Sequence, residues 1–273
     1  MDVILLQITS AIYFLATGSF IFHLVVAKDI SSRLSLLLVF AGFLIHTAAL
    51  GVYFFHTGYP AVTQLREALS FYSWLMVGVY LPVQYKYRLT VLGCFIAPLA
   101  FLMSLAAFTL GVGGGELPLT LKTYWLPLHV TLAFLGNAFF ALAFAVSVMY
   151  LLHEYQLKNK KISVRNKHFP SLERLNRLNY VFLIWGFPLM TLGIITGSLW
   201  ARVHWGEYWS WEPRQISSAI TWILYGGLLH GRLTAGWRGK KAAFWTIVGF
   251  AVVLGYFLLG DSVFPGRHGG RFE

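Results

Sequence analysis

The sequence predicts an all-α membrane protein that crosses the bilayer eight times. Of its 273 residues, 58% are hydrophobic and 11% are charged, whereas a soluble domain carries about 25% charged residues. The mean hydropathy of +0.66 agrees with this deficit of charge. Eight apolar stretches are each long enough to cross the hydrocarbon core, which takes about 20 helical residues, and no alternating barrel pattern appears. This composition excludes a soluble enzyme, a disordered chain and a disulfide-stapled secreted domain.

The eight predicted spans follow one another along a single domain that occupies residues 1–273. We place them near 3–27, 34–55, 67–85, 89–111, 125–152, 178–200, 215–233 and 242–260. Each span must be a helix, because lipid offers no partner for unpaired backbone groups. No small-residue cleavage site follows the first span, so we expect a retained helix rather than a removed signal peptide. The polar stretch 153–177 separates spans 5 and 6, and no internal repeat is evident.

The basic residues divide the loops into two sets. The loops after spans 1, 3, 5 and 7 hold 15 of the 21 Lys and Arg residues: Lys28, Arg33, Lys86, Arg88, Lys158, Lys160, Lys161, Arg165, Lys167, Arg174, Arg177, Arg232, Arg238, Lys240 and Lys241. The opposite side holds the other six: Arg66, Lys122, Arg202, Arg214, Arg267 and Arg271. Cytoplasmic loops carry the excess of positive charge. We therefore expect both termini on the outer, periplasmic side and the 153–177 connector in the cytoplasm beside anionic lipid.

The cysteine content excludes several kinds of site. Cys94 is the only cysteine and lies in an apolar run. The chain therefore has no disulfide pair, no paired-thiol redox motif and no zinc cluster of cysteines. It also lacks C-x-x-C-H, the haem-attachment motif of c-type cytochromes, so it is not itself such a cytochrome.

A tryptophan-rich segment joins spans 6 and 7, and residues 201–214 are called the tryptophan loop below. Four tryptophans and a tyrosine fall within residues 200–211. Trp205 and Trp209 are four residues apart, so we expect them to share a helical face, with Trp211 two residues later. Gly206 would admit a flat ligand close to the backbone. The spacing favours a shelf for a large planar aromatic molecule, and simple anchoring at the membrane interface is the alternative.

Span 7 carries its own start signal. Proline is favoured at the first helical position, which Pro213 would occupy. Gln215 would occupy the third position, from which a Glu or Gln side chain can bond back to the cap residue in a capping box. Glu212 is the expected cap, although the shorter side chain of Asp reaches the free amides better.

These residues carry a resemblance to a known family. The string WGEYWSWEPRQ, followed by an apolar helix containing ITWILYGGLLH, resembles the tryptophan-rich WWD signature of the CcsA/CcmC family, haem-handling membrane proteins of cytochrome c assembly. Gly58-Tyr-Pro60 and the stretch from Glu67 to Trp74 are similar to a further segment of CcsA-type proteins. At Glu212 the family usually has Asp, so the charge is kept and the reach is longer. The resemblance implies haem b as the bound cofactor.

Two histidines lie at the predicted level of the tryptophan loop. His129 opens span 5 and His268 follows span 8, so both fall on the outer side. Imidazole is a good axial ligand of haem iron, and two imidazoles close the site above and below the ring. The family resemblance implies the same pair, one external histidine before the loop and one after it. Arg66, Arg202 or Arg214 would then pair with the haem propionates.

Three histidines, His23, His46 and His230, lie within predicted spans, where ionisable side chains are costly and commonly functional. The resemblance implies that His230 serves a second, internal haem. Depth favours His23 as its partner, since it lies roughly 6 Å from the inner end of span 1, whereas His46 lies roughly 18 Å from that of span 2. The motif context favours His46. For either residue, the alternative is a core histidine bonded to a neighbouring helix. The remaining histidines are expected in loops: His56, His153, His168 and His204.

The resemblance implies a protein of the bacterial-type inner membrane that carries haem to the outer face and presents it for covalent attachment to apocytochrome c. It also implies a membrane partner of the CcsB type, with which the chain would form a holocytochrome c synthase. Two alternatives stay open: a HemX-like protein tied to tetrapyrrole synthesis, and a cytochrome b-like electron-transfer subunit with fixed haems. Nucleic acid is not an expected partner, because the net charge of +11 follows the membrane topology.

Overall fold

The computed structural model describes residues 3–26, 29–110, 123–160 and 170–263. All regular structure in these ranges is helical, which confirms the predicted all-α class. The helices are α1 (Val3–Val26), α2 (Asp29–Thr57), α3 (Leu65–Tyr87), α4 (Gly93–Thr109), α5 (Trp125–Lys158), α6 (Leu172–Trp205), α7 (Pro213–Thr234) and α8 (Gly239–Val263). A short 3-10 helix, Thr90–Leu92, precedes α4.

Length and composition make five of the described helical segments able to cross a membrane. They are Val3–Val25, Ser31–Thr57, Thr90–Thr109, Trp125–Lys158 and Leu172–Trp205. The chain is thus a multi-pass membrane protein. The helices α3 and α7 are more polar, because charged residues lie near both of their ends, Arg66 and Lys86 in α3 and Arg214 and Arg232 in α7. Eight crossings therefore stay a prediction.

The described helices group into two compact units, and a single membrane domain over residues 1–273 stays a prediction. Unit 1 contains α1 to α4. In it, α1 packs against α2 and α4, and α3 packs against α4. A Cβ added to Gly42 would lie 2.6 Å from Cε1 of Tyr13, so the fully buried tyrosine ring fills the space that the glycine leaves.

Unit 2 contains most of α5 together with α6, α7 and α8. Small residues bring α5 and α6 together: a Cβ on Gly136 would lie 2.8 Å from the Met190 backbone nitrogen, and one on Gly193 would lie 2.9 Å from that of Ala133. Such close approach of backbones is typical of helix pairs in membranes. The rings of Phe140 and Tyr225 stack with centroids 3.7 Å apart.

Both α5 and α6 are longer than the spans predicted for them. α5 continues to Lys158 and α6 begins at Leu172, where the Ser171 side chain accepts a hydrogen bond from the Arg174 backbone N–H. Much of the 153–177 connector is therefore helical. His153, expected in a loop, lies in α5 and is buried, and His56, also expected in a loop, lies in the last turn of α2, so both expectations are wrong.

Candidate functional site

The last two turns of α6 carry a cluster of rings. Trp200 is 4% exposed. The ring of His204 stacks on it with centroids 4.6 Å apart, and His204 Nδ1 lies 3.0 Å from the Trp200 carbonyl oxygen. Trp205 meets Trp200 edge to face, with centroids 5.0 Å apart and an interplanar angle of 78°. His204 is thus part of the helix end, not a loop residue as expected.

Gly206 ends α6. Its φ is +78°, and its N–H donates to the Arg202 carbonyl at 3.1 Å, the usual left-handed termination of a helix. The helix stops between Trp205 and Trp209, so the expectation that these two share a helical face is wrong. Gly206 is therefore explained by its backbone conformation, and the space around its Cα is open, with no atom within 4 Å of an added Cβ.

The aromatic side chains of the tryptophan loop differ in their exposure to solvent. Trp211 is 74% exposed, and its φ of +56° is uncommon for a bulky residue, a conformation that costs about 1–3 kcal/mol. Trp209 packs edge to face against Trp211, with centroids 5.8 Å apart. The Trp209 indole nitrogen is buried, and no described hydrogen-bond acceptor lies within reach of it. An exposed ring, a strained backbone and an orphaned donor are features of a binding surface rather than of a packed core.

The start of α7 fixes the far end of this loop. Pro213 occupies the first helical position, as predicted, and Glu212 is the N-cap residue, although its side chain makes no capping hydrogen bond. Gln215 does not turn back to the cap residue as expected. Its Oε1 accepts from the Ser210 backbone N–H at 2.7 Å and lies 3.2 Å from Ser210 Oγ. Gln215 therefore stabilises the loop conformation.

His129 lies near the beginning of α5 against α6. Its Nδ1 is 2.7 Å from the Gly193 carbonyl oxygen. A carbonyl only accepts, so Nδ1 carries the proton, and in the neutral imidazole Nε2 then carries the lone pair. A Cβ on Gly197 would lie 2.5 Å from His129 Cε1 and 2.6 Å from Nδ1, so this glycine is what lets the ring approach. Sequence reasoning missed both glycines.

The ring of His129 is not at the very end of α6. Gly197 lies eight residues before Trp205, which is about 12 Å along the helix. The other predicted external ligand, His268, lies outside the described residues, as does His168. The described part of the chain holds no group of three or more His, Cys, Asp or Glu side chains placed to bind a metal ion.

The histidines of the predicted internal site occupy different surroundings. His46 is fully buried in unit 1, with Nε2 2.9 Å from Ser70 Oγ and Nδ1 3.5 Å from Tyr13 Oη. His23 is 4% exposed, and its Nδ1 lies 2.9 Å from Ser31 Oγ. His230 lies in α7 of unit 2, and its side chain is exposed.

The segment between α2 and α3 contains a buried acid that sequence reasoning did not single out. Glu67 is 7% exposed, and its Oε1 accepts from the Tyr53 hydroxyl at 2.5 Å. Its Oε2 accepts from the backbone N–H and hydroxyl of Thr63 and from the Gln64 N–H, at 3.1, 2.6 and 3.2 Å. This is a capping box at the start of α3. In the sequence only the Glu67 half of the usual signature was present, because Gln64 stands where Ser or Thr is usual.

Comparison with known proteins identifies relatives of this chain. The chain matches the family model described as Cytochrome C assembly protein over residues 62–266. It is 31% identical over 240 residues to the cytochrome c biogenesis protein CcsA of Guillardia theta, covering 80% of each chain. It is 34% identical over 218 residues to the CcsA of Chlamydomonas reinhardtii, covering 76% of this chain and 61% of the relative.

A solved structure has a similar fold. The cytochrome c heme lyase CcmF matches with a TM-score of 0.63 at 18% identity, over 94% of this chain and 49% of that one. The chain thus spans about half the length of that protein, and the likeness is one of fold.

Proposed function

This chain belongs to the cytochrome c assembly protein family, and from that membership we propose that it binds haem and presents it for attachment to apocytochrome c. The names of the relatives, cytochrome c biogenesis protein CcsA and cytochrome c heme lyase, support a role in cytochrome c maturation. In this proposal haem b is the cargo, and the chain is a carrier that hands it on.

The observation that supports the proposal most is the position of His129. Its Nδ1–H is bonded to a backbone carbonyl of α6, which fixes the tautomer and the ring orientation in the way that ligand histidines are commonly held. In that tautomer Nε2 carries the lone pair through which an imidazole binds iron. The same helix ends in the aromatic cluster and leads into the tryptophan loop. One helix therefore supports both a candidate axial ligand and a candidate porphyrin surface.

The tryptophan loop supplies that surface. Trp205, Trp209 and Trp211 offer large faces and edges for contact with a porphyrin, and such contacts are worth about 0.5–1.5 kcal/mol each beyond burial. Gly206 leaves open space beside the backbone. His268 is the proposed second axial ligand of this outer haem. Bound haem would supply an iron that accepts two imidazoles and vinyl groups that accept the thiols of the apocytochrome.

His230 is proposed as a ligand of a second, internal haem. Its partner is His23 or His46. Ligation by His46 would require that residue to give up its hydrogen bond to Tyr13 or to Ser70. Depth along the span favours His23, and the motif context favours His46.

The remaining parts of the proposal concern setting and partners. We place the protein in the inner membrane of a bacterial-type cell, with eight crossings and the tryptophan loop on the outer side. The chain supplies no C-x-x-C-H thiols of its own, so these come from apocytochrome c. A membrane protein of the CcsB type is the proposed partner.

The test is haem analysis of the purified protein. We expect a low-spin absorption spectrum and haem detectable as pyridine haemochrome. His129→Ala and His268→Ala should each lose the low-spin signature and regain it on addition of imidazole, because a small ligand can enter the vacated position. His56→Ala is the matched control, since His56 lies at the end of α2 and is exposed. Haem content and spectra unchanged in both ligand variants would contradict the proposal.

Two further measurements separate the alternatives. The triple change of Trp205, Trp209 and Trp211 to Ala should loosen or remove haem while the protein still inserts, and unchanged haem would favour simple interfacial anchoring. Haem that exchanges to an added apocytochrome c supports a carrier. Haem that stays bound and only changes redox state would favour a cytochrome b-like subunit.

A further inference from the structure

Two helical hairpins of this chain, one in each unit, are built by the same contacts. In unit 1, the Trp74 indole of α3 donates to Thr47 Oγ1 of α2 at 2.8 Å. Its ring stacks on Phe43, with centroids 5.5 Å apart and planes 8° apart. Phe43 also lies against Gly78, where an added Cβ would be 3.3 Å from its ring.

The hairpin of α6 and α7 in unit 2 repeats this set. The Trp222 indole donates to Thr191 Oγ1 at 2.9 Å. Its ring stacks on Phe187, with centroids 5.4 Å apart and planes 29° apart. A Cβ on Gly226 would be 3.3 Å from the Phe187 ring. The glycine is four residues after the tryptophan in both hairpins, and the phenylalanine is four residues before the threonine.

The loops of the two hairpins correspond as well. α2 is followed by Gly58 with φ +68°, and α6 by Gly206 with φ +78°. The N-cap residue of the next helix, Gln64 or Glu212, lies six residues after its glycine. The expectation of no internal repeat is therefore wrong. The repeat is hidden because few residues are identical and because α6 is longer: eleven residues separate Thr47 from Gly58, and fifteen separate Thr191 from Gly206.

The correspondence pairs two arginines. Arg66 and Arg214 are the second residues of α3 and α7. Arg214 is the last residue of the tryptophan loop, and Arg66 holds the equivalent position in unit 1. The first turn of a helix carries free N–H groups and a partial positive charge, so an arginine there reinforces attraction for an anion.

Arg66 differs from the other arginines considered for propionate binding. Its side chain is 7% exposed, and its buried Nε has no hydrogen-bond partner within the described ranges. The adjacent Glu67 accepts from Tyr53, Thr63 and Gln64. Arg202, in contrast, donates to the Gly206 carbonyl and lies over the Tyr208 ring, 5.5 Å from its centroid.

Burying a guanidinium is costly unless an anion pairs with it and accepts its hydrogen bonds. We propose that Arg66, in the first turn of α3, binds a carboxylate of the haem that the protein carries. This inference rests on the proposed function and names Arg66 as the residue that recognises a propionate. A guanidinium presents its N–H groups in a fork that matches the two oxygens of a carboxylate.

Comparison of haem b with its dimethyl ester tests the proposal, because the ester keeps the porphyrin and iron and lacks both carboxylates. Purified protein in detergent is titrated with each compound. The wild type should bind haem b at least about tenfold more tightly than the ester, since charge-assisted hydrogen bonds are the strong ones. In Arg66→Gln this preference should fall about tenfold, with affinity for the ester unchanged.

Two variants complete the design. Arg66→Lys keeps the charge without the fork and should retain part of the preference. Arg33→Gln removes an exposed arginine of the same unit and should retain all of it. Equal loss of affinity for both compounds in Arg66→Gln would assign the residue a structural role and overturn the inference. Equal binding of both by the wild type would overturn it without any variant and leave the proposed function standing, whereas binding of neither would overturn both.

Discussion

Replacement of Gly197 by Ala tests whether α6 fixes His129 as a ligand. The added methyl group would lie 2.5 Å from His129 Cε1 and 2.6 Å from Nδ1, whereas carbon atoms in contact are about 3.5–4.0 Å apart. The ring must therefore retreat by about 1 Å. The hydrogen bond to Gly193, now 2.7 Å, would lengthen to about 3.7 Å and be lost.

We expect Gly197→Ala to weaken haem binding and to leave the protein folded. A net hydrogen bond contributes about 0.5–1.5 kcal/mol, so haem should be held up to about tenfold less tightly. Alanine is favoured over glycine within a helix by about 0.8–1 kcal/mol, so the variant should remain folded. The assay is haem retention by pyridine haemochrome together with the low-spin spectrum, alongside a thermal unfolding curve.

Two controls make the result interpretable. Gly227→Ala adds a methyl group that meets no atom within 4 Å, and it should retain haem. In a His129→Ala background, Gly197→Ala should have no further effect on haem, because the group that it displaces is absent. A wild-type spectrum in Gly197→Ala, or an equal loss in the His129→Ala background, would refute the reasoning.

Three further predictions follow from the charge distribution, the unit 2 core and the internal histidine. Reporter fusions after Glu273 and within residues 232–241 should report the outer and inner sides respectively, and the reverse pair would place the tryptophan loop in the cytoplasm. Asn179 donates to Ser147 Oγ at 2.8 Å and to Thr246 Oγ1 at 2.9 Å, so Asn179→Ala should destabilise the protein by about 1–3 kcal/mol, seen as a lower Tm; an unchanged Tm would contradict this. His230→Ala should lower total haem with little recovery in imidazole, because the vacancy would lie within predicted span 7, and full recovery would place His230 elsewhere.

Helix positions were predictable because their signal is local. A membrane-spanning helix is indicated by about twenty largely apolar residues in succession, and the start of α7 is indicated by its proline. Both signals are read from one stretch of chain. The end of α6 was also available in the sequence, since Arg202 and His204 in the last turn and Gly206 after it are the usual signs of a helix terminus. The four-residue spacing of Trp205 and Trp209 was the weaker indicator, because a period holds only while the helix continues.

Other features of the site were not predictable, because they depend on which helices meet. Nothing near His129 in the sequence indicates that it faces Gly193 and Gly197, 64 and 68 residues further on. Gln215 had two possible partners, the cap residue and Ser210, and the loop geometry decides in favour of Ser210. The repeat is visible only when Trp74 and Trp222 are seen to bond to threonines on their neighbouring helices.

The extra length of α6 has a consequence for how its end can vary. Four added residues advance a helix by about 6 Å but rotate its end by only about 40°, since each residue turns by about 100°. The aromatic end of α6 therefore lies about one turn further along its own helix than the corresponding end lies along α2, and its direction about its own helix axis is nearly unchanged. A change of two residues would instead turn it through about 200°, to the opposite side of the helix. A change in the length of this helix by about one whole turn therefore keeps the direction of its aromatic end, whereas a change of half a turn does not.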